Sequence, residues 1–318
     1  MYNAASAKER IDSVIDENMK FYAGDRIVVT KLLAAVIAGG HVLLEDVPGV
    51  GKTFLAKILA KTLGLSFTRI QFTPDLLPSD IVGTKLWRPS EGKFEVMLGP
   101  VFSNFILADE INRAPPKTQA ALLEAMEEMQ VTIEGETHQL PKPFVVVATQ
   151  NPIEFEGTYP LPEAQMDRFM LKLTLGYPNP ELEEELLGRR VTWKSDDPSS
   201  LAPTLISREE LLALRALAEE GVRVEKDVMR YVVSFRKIRD DERVIAGPSP
   251  RALISLMRMA RAMALTEGRD YVIPDDVKGV AREVLGHRIV LKPELALEGG
   301  VTGSEVVGEY LEELPVPK

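Results

Sequence analysis

Apolar residues recur at helical spacing near the start of the chain, where Ile11, Val14, Ile15 and Met19 form one stripe, the mark of an amphipathic helix. A second helix is predicted over about residues 25–37, with Gly39-Gly40 as its stop. The period then shortens. Residues 41–45 read as a short buried strand, and a glycine-bearing turn leads into a helix with Leu55, Ile58, Leu59 and Leu63 on one face. Strands are predicted again at 66–73, 105–109 and 144–150, with a helix at 117–129 whose first turn is marked by Pro115-Pro116. Strands that are apolar throughout suit a parallel sheet covered on both faces. Two hairpins break the rhythm, at 85–96 turning near Glu91-Gly92 and at 131–140 turning near Gly135.

After about Gly176 the texture changes. A helix at 181–191 is followed by a polar, proline-bearing linker, and from Ser207 onward the pattern is helical, opening on a capping box of Ser207 and Glu210. One later helix, 250–265, is expected to bury Leu253, Leu256, Met257, Ala260, Met263 and Ala264 before Gly268 stops it. The expected organisation is an α/β core over 1–193, with hairpin inserts at about 83–99 and 131–141, followed by a smaller all-helical domain over 206–318.

Length agrees, since 318 residues suggest about two domains. The net charge of −10 argues against a dedicated nucleic-acid binder, which carries a basic footprint. With no cysteine there is no disulfide, thiolate metal site or cysteine nucleophile, and a reducing cytoplasm is the expected setting. The N-terminal segment lacks the apolar core of a signal peptide. The longest largely apolar run, 32–44, is too short to span a bilayer. His41, His138 and His287 stand alone and read as surface or packing residues.

The chemistry begins at LLEDVPGVGKT, which fits the phosphate-binding pattern G-x-x-x-x-G-K-[ST] except that Asp46 holds the first glycine position. Gly49 and Gly51 permit backbone angles that turn amides toward phosphate oxygens. Lys52 supplies a point charge and Thr53 a hydroxyl for Mg2+, so residues 48–53 (Pro48, Gly49, Val50, Gly51, Lys52 and Thr53) form the expected nucleotide-binding set. Asp46, a residue type that tolerates a left-handed backbone, is expected to point away from phosphate, so Asp46→Gly should leave nucleotide affinity unchanged or slightly higher. FILADEIN delivers Asp109 and Glu110 to the C-terminal edge of a strand, where ligands sit in open α/β sheets. One carboxylate would hold Mg2+ through water and the next would polarise the attacking water. Asn151, just past an apolar strand, would meet the γ-phosphate and that water. Arg168 follows a short helix begun by Pro162; it is either a cation suited to a helix C-terminus or an arginine finger. Arg251 lies in the first turn of a helix capped by Ser249. There a cation opposes the helix dipole, which leaves a solvated surface residue or an anion contact as readings.

These stretches resemble the AAA+ ATPases and, within them, the MoxR family, over about residues 40–176 and more weakly to the C-terminal ELPVP. LLEDVPGVGKT is similar to the family's Walker A, FILADEINRAPPKTQAALLEAM to its Walker B and following helix, and VVATQNPIEFEGTYPLPEAQMDRF to its sensor 1 and finger region. The resemblance implies a P-loop NTPase core with a central parallel sheet and a helical lid, hydrolysing ATP with Mg2+ as a ring, usually a hexamer. It assigns Lys52 and Thr53 to nucleotide and Mg2+, Asp109 to Mg2+, and Glu110 to the catalytic base. It makes Asn151 sensor 1, Arg168 the arginine finger and Arg251 sensor 2, in its own subunit or a neighbour's, and gives Arg113 no firm role. It matches the hairpins to the helix-2 and pre-sensor-1 inserts. It implies a chaperone that matures complexes with a von Willebrand factor A domain partner. The segment FYAGDRIVV departs from the family pattern, as do the glycines of EGGVTGSEVVGEY. A nucleic-acid motor shares such a core, but the second hairpin carries Glu134 and Glu136 with no Lys or Arg, and the first is mixed. A slow nucleotide switch also fits the residues. A sigma-factor activator does not, since no GAFTGA-type loop occurs.

Overall fold

The computed structural model describes residues 3–47, 49–152, 157–195, 197–294 and 300–317. Pro48 and the part of the finger-region stretch at 153–156 lie outside the described residues. Helices α1 (Ala4–Phe21) and α2 (Arg26–Ile37) precede β1 (Val42–Glu45), α3 (Lys52–Thr62) and β2 (Phe67–Gln71). Then come α4 (Pro78–Val82), the hairpin β3 (Gly83–Arg88) and β4 (Lys93–Leu98), β5 (Phe105–Asp109) and α5 (Pro116–Glu128). The hairpin β6 (Gln130–Ile133) and β7 (Glu136–Gln139), β8 (Val145–Gln150), α6 (Glu163–Met166) and β9 (Leu171–Leu173) complete the α/β part. The five-stranded sheet runs β2-β5-β8-β1-β9, and every pairing is parallel.

Strand alternation explains why these runs had to be apolar throughout. Val42 and Leu44 of β1 pack with α1, α2 and α3 on one face, while Leu43 joins Ile106, Val146 and the α5 residues Leu122 and Leu123 on the other. Both faces are covered, so a polar side chain inside β5 or β8 would lose its water with no partner. All five residues of β5 are buried; each large apolar one contributes about 2 kcal/mol of burial.

Beyond Asn179, which caps α7 (Pro180–Trp193), the chain forms α8 (Arg208–Ala216), α9 (Lys226–Ser234), α10 (Pro250–Thr266), α11 (Pro274–Leu285) and α12 (Gly303–Glu313). The capping box of α8 forms as expected, Ser207 Oγ accepting from Glu210 N and Glu210 Oε2 from Ser207 N. Three details differ from expectation. The strand β9 is too short to carry a period and is recognised by its pairing with β1. The helical lid also holds a two-stranded ribbon, β10 (Val244–Ala246) against β11 (Val290–Leu291). In α10 the fully buried methionine is Met259, with Leu253 and Met257 half-buried, because the stripe faces both the core and α11. Leu256, Met259 and Val280 belong to the same apolar cluster as β1 and α2, so lid and core share one interior.

Candidate active site

Strand β1 ends at the glycine loop. Gly49 and Gly51 both take a left-handed backbone, at φ 88° and 87°, and a Cβ at either would meet nothing within 4 Å. The requirement for glycine there is conformational, and the space beside the loop is open. Lys52 Nζ donates to the carbonyls of Asp46 at 2.6 Å and Val47 at 3.2 Å. Burial lowers the Lys52 ammonium from its ordinary value, against the pull of Asp46, Asp109 and Glu110. Loop cation and strand acids therefore form one electrostatic unit. An open glycine cradle, a hydroxyl at Thr53 and a carboxylate at Asp109 suit a phosphate chain with Mg2+, a hard cation that takes few protein oxygens alongside those of a nucleotide.

Asp46 points away from the cradle. Its Oδ2 accepts from the backbone N–H groups of Leu175 at 2.5 Å and Gly176 at 2.8 Å, and Oδ1 from Val47 N at 3.0 Å. The reason differs from the one expected. Asp46 is not among the positive-φ residues; it is buried and serves as a carboxylate acceptor that ties the loop to the chain leaving β9.

At the end of β5 the two acids are held separately. Asp109 Oδ2 accepts from Arg69 Nε at 2.9 Å and Nη2 at 2.6 Å. Its Oδ1 accepts from Thr149 Oγ1 at 2.6 Å, and that hydroxyl accepts in turn from Glu110 N at 2.8 Å. Glu110 sits at φ 55°, a left-handed backbone that turns its side chain out of the strand line. Its Oε2 accepts from Gln71 Nε2 at 2.8 Å and Arg113 Nη1 at 2.9 Å. Asn151 is buried just beyond β8, two residues after Thr149 in the chain.

Arg168 and Arg251 lie elsewhere. Both meet Glu127 in the last turn of α5: Arg168 Nη2 stands 3.0 Å from Oε2, and Arg251 Nη1 donates to Oε1 at 3.1 Å. A cavity of about 240 Å³ beside them is lined by Gly40 and His41 and by the guanidinium groups of Arg258 and Arg288. His41 precedes β1, whereas Asp46 follows it, so at about 3.3 Å per strand residue the His41 corner stands roughly 16 Å from the loop, at the opposite edge of the sheet. His41 fixes this corner. Its Nδ1 accepts from Val146 N at 3.0 Å, so Nε2 carries the hydrogen and donates to Met126 O at 3.2 Å. Burial pushes its pKa down to about 4. Arg288 of the lid is the second fixture, and each of its five N–H groups finds an acceptor. These are Asp167 Oδ1 at 2.6 Å and the carbonyls of Asp167 at 3.1 Å, Phe169 at 2.7 Å, Met170 at 3.2 Å and Val284. Arg168 is thus flanked by residues that the lid grips.

Residues 41–171 match the model for the ATPase family associated with various cellular activities (AAA), and residues 236–309 match an AAA lid domain. A crystal structure from Cytophaga hutchinsonii, assigned as an ATPase, superposes with a TM-score of 0.90 at 43% identity, over 99% of this chain and 97% of that one. Protein YeaC of Bacillus subtilis, itself uncharacterized, is 47% identical over 96% of this chain and 95% of its own. Chaperone MoxR1 of Mycobacterium tuberculosis is 43% identical over 99% of this chain and 84% of its own. The chain belongs to the MoxR family of AAA+ ATPases.

This MoxR-family ATPase brings together the loop, Asp109, Glu110 and Asn151 at one edge of the sheet, as its sequence suggests, and Arg168 with Arg251 at the other. Five participants escaped the sequence reading. Arg69 and Gln71 share a face of β2 by strand alternation, a signal that was present. Thr149 was accessible through register, since Ala108 pairs with Ala148 and the next residues are Asp109 and Thr149. Glu127 and Arg288 carried no local signal. No described helix is long and apolar enough to cross a membrane.

Proposed function

We propose that this ATPase works as a ring, a hexamer in the expected form, in which each nucleotide site is completed by the neighbouring subunit. The observation that carries this reading is the convergence of Arg168 and Arg251 on Glu127 at the sheet edge opposite their own phosphate loop. An arginine there cannot reach a γ-phosphate held at its own Lys52, so both residues would act in trans. Gly49, Val50, Gly51, Lys52 and Thr53, with Pro48, would cradle ATP. Thr53 and Asp109 would hold Mg2+, which when bound draws negative charge from the phosphates. Glu110 would take the proton of the attacking water and Asn151 would orient it.

The work done is the remodelling or maturation of protein complexes, together with a von Willebrand factor A domain partner. The name of the MoxR1 relative supports a chaperone role. The hairpins support protein rather than nucleic acid as the substrate. Lys85 pairs with Glu136, Arg88 with Glu95 and Lys93 with Glu91, so each cation meets a carboxylate where phosphate binding would need a surplus. A slow switch is the second reading, favoured by the hold of Gln71 and Arg113 on Glu110. Single-turnover against multiple-turnover kinetics separates the two.

The experiment is Mg2+-dependent ATP hydrolysis per subunit across a wide protein concentration range, with Glu110→Gln as the blank. A specific rate that climbs with concentration and disappears in the blank is expected. A rate above the blank that is independent of concentration, down to dilutions where the protein is monomeric, would sink the shared site.

A further inference from the structure

Glu127 has no role in the readings above, yet both arginines of the proposed shared site end on it. One carboxylate oxygen faces Arg168 and the other faces Arg251. The arrangement spans three parts of the chain: the last turn of α5, the segment after α6, and the first turn of the lid helix α10. Two backbone features fix the end of α5 that carries the carboxylate. The Met126 carbonyl beside it accepts from His41, and Met129 ends α5 in a left-handed turn at φ 54°. Other charges of the cavity are matched elsewhere: Arg288 by Asp167, and Arg258 by the carbonyl of Ala38 at 2.6 Å and by Glu219 at 3.8 Å. Without Glu127, Arg168 and Arg251 would repel each other and take separate rotamers.

We propose that Glu127 is a positioning residue that gathers the Arg168 and Arg251 guanidiniums onto one point, so that a neighbour's γ-phosphate meets both at once. This rests on the shared-site reading above. Two guanidinium charges face one carboxylate charge, so the pair keeps a positive surplus. Each guanidinium carries five N–H groups, so donors beyond the one aimed at Glu127 remain for an incoming phosphate. The side chains of Glu127, Arg168 and Arg251 are partly exposed, at 34%, 27% and 52%, so an incoming group can reach all three. What Glu127 adds is geometry. Reacting groups held even about 1 Å out of place can lose on the order of 100-fold in rate.

The test uses full-length protein at concentrations where the wild type is maximally active. Glu127→Gln is expected to lower kcat roughly 10- to 100-fold with the KM for ATP unchanged, and Glu127→Asp, which keeps the charge, to recover part of the loss. Mixing supplies the decisive readout. Glu127→Gln subunits have an intact phosphate loop and Glu110, while Glu110→Gln subunits have intact arginines. Combined, they should exceed the summed rates of the two variants alone, because an intact arginine pair then serves an intact loop. Arg168→Ala mixed with Glu110→Gln is the control. Wild-type kcat in Glu127→Gln overturns the proposal. So does a loss of rate with no gain on mixing when the control mixture gains, since Glu127 then supports only its own subunit's fold. If the control mixture fails to gain as well, the shared site falls and the role of Glu127 falls with it.

Discussion

The two edges of the central sheet are built in opposite ways. At the C-terminal edge, the phosphate loop, Asp109, Glu110 and Asn151 come from strand ends, each within a few residues of a strand that aims it. At the N-terminal edge, Glu127, Arg168, Arg251 and Arg288 come from a helix end, a loop and the lid, and ion pairs hold them together. The first edge would attract phosphate through backbone amides and one lysine. The second offers guanidinium groups that have no phosphate of their own within reach. A site encoded by local geometry tolerates change in its surroundings, whereas a site assembled by long-range contacts fails when any contributor moves.

The sharpest way to break this comparison is Arg168→Ala. It should cost about 10³-fold or more in kcat while leaving nucleotide affinity of the isolated subunit as in the wild type. Equilibrium binding of a labelled nucleotide, beside steady-state rates, checks both halves. A large loss of affinity would mean that the edges are not separate.

Acid should injure the arginine edge. His41 is neutral when folded because its pKa is pushed down to about 4, with burial the main cause and Arg215 and Arg258 adding to it. Between pH 6.5 and 4 the unfolded chain binds a proton at this position that the folded chain refuses. Stability therefore falls as pH drops through that window, by about 3 kcal/mol from His41 at its lower end. His287, buried against the Phe169 carbonyl, is lowered to about 3 and acts in the same direction. Thermal melts from pH 7 to 4 should show the loss, and His41→Asn should flatten part of it.

A smaller effect is expected at the phosphate edge. Asp46→Gly removes the acceptor of Leu175 N and Gly176 N, which costs about 2 kcal/mol in stability, and leaves nucleotide affinity unchanged. Chemical denaturation together with a binding isotherm tests this. Lost affinity in a fully folded variant would bring the carboxylate back into the cradle.

The contrast also explains what could be read from sequence. Loop, acids and hairpins were legible because a period, a glycine pattern or a strand end announces each one within a few neighbouring residues. The partners of Asp46 lie about 130 residues away, which no local pattern reports. Glu127 looks like any exposed helix glutamate, and Arg288 like any cation after a helix. Their importance comes from tertiary contacts alone. β9 and the lid ribbon were missed because two or three residues cannot display an alternation.

Arg288 has a mechanical consequence. With all five of its donors committed and its side chain almost wholly buried, it leaves no slack between α11 and the segment that carries Arg168. Lysine, with three donors and no planar fork, cannot reproduce the grip. A tilt of the lid by a few degrees therefore carries with it the backbone on either side of Arg168, as a crank passes rotation to a distant pin.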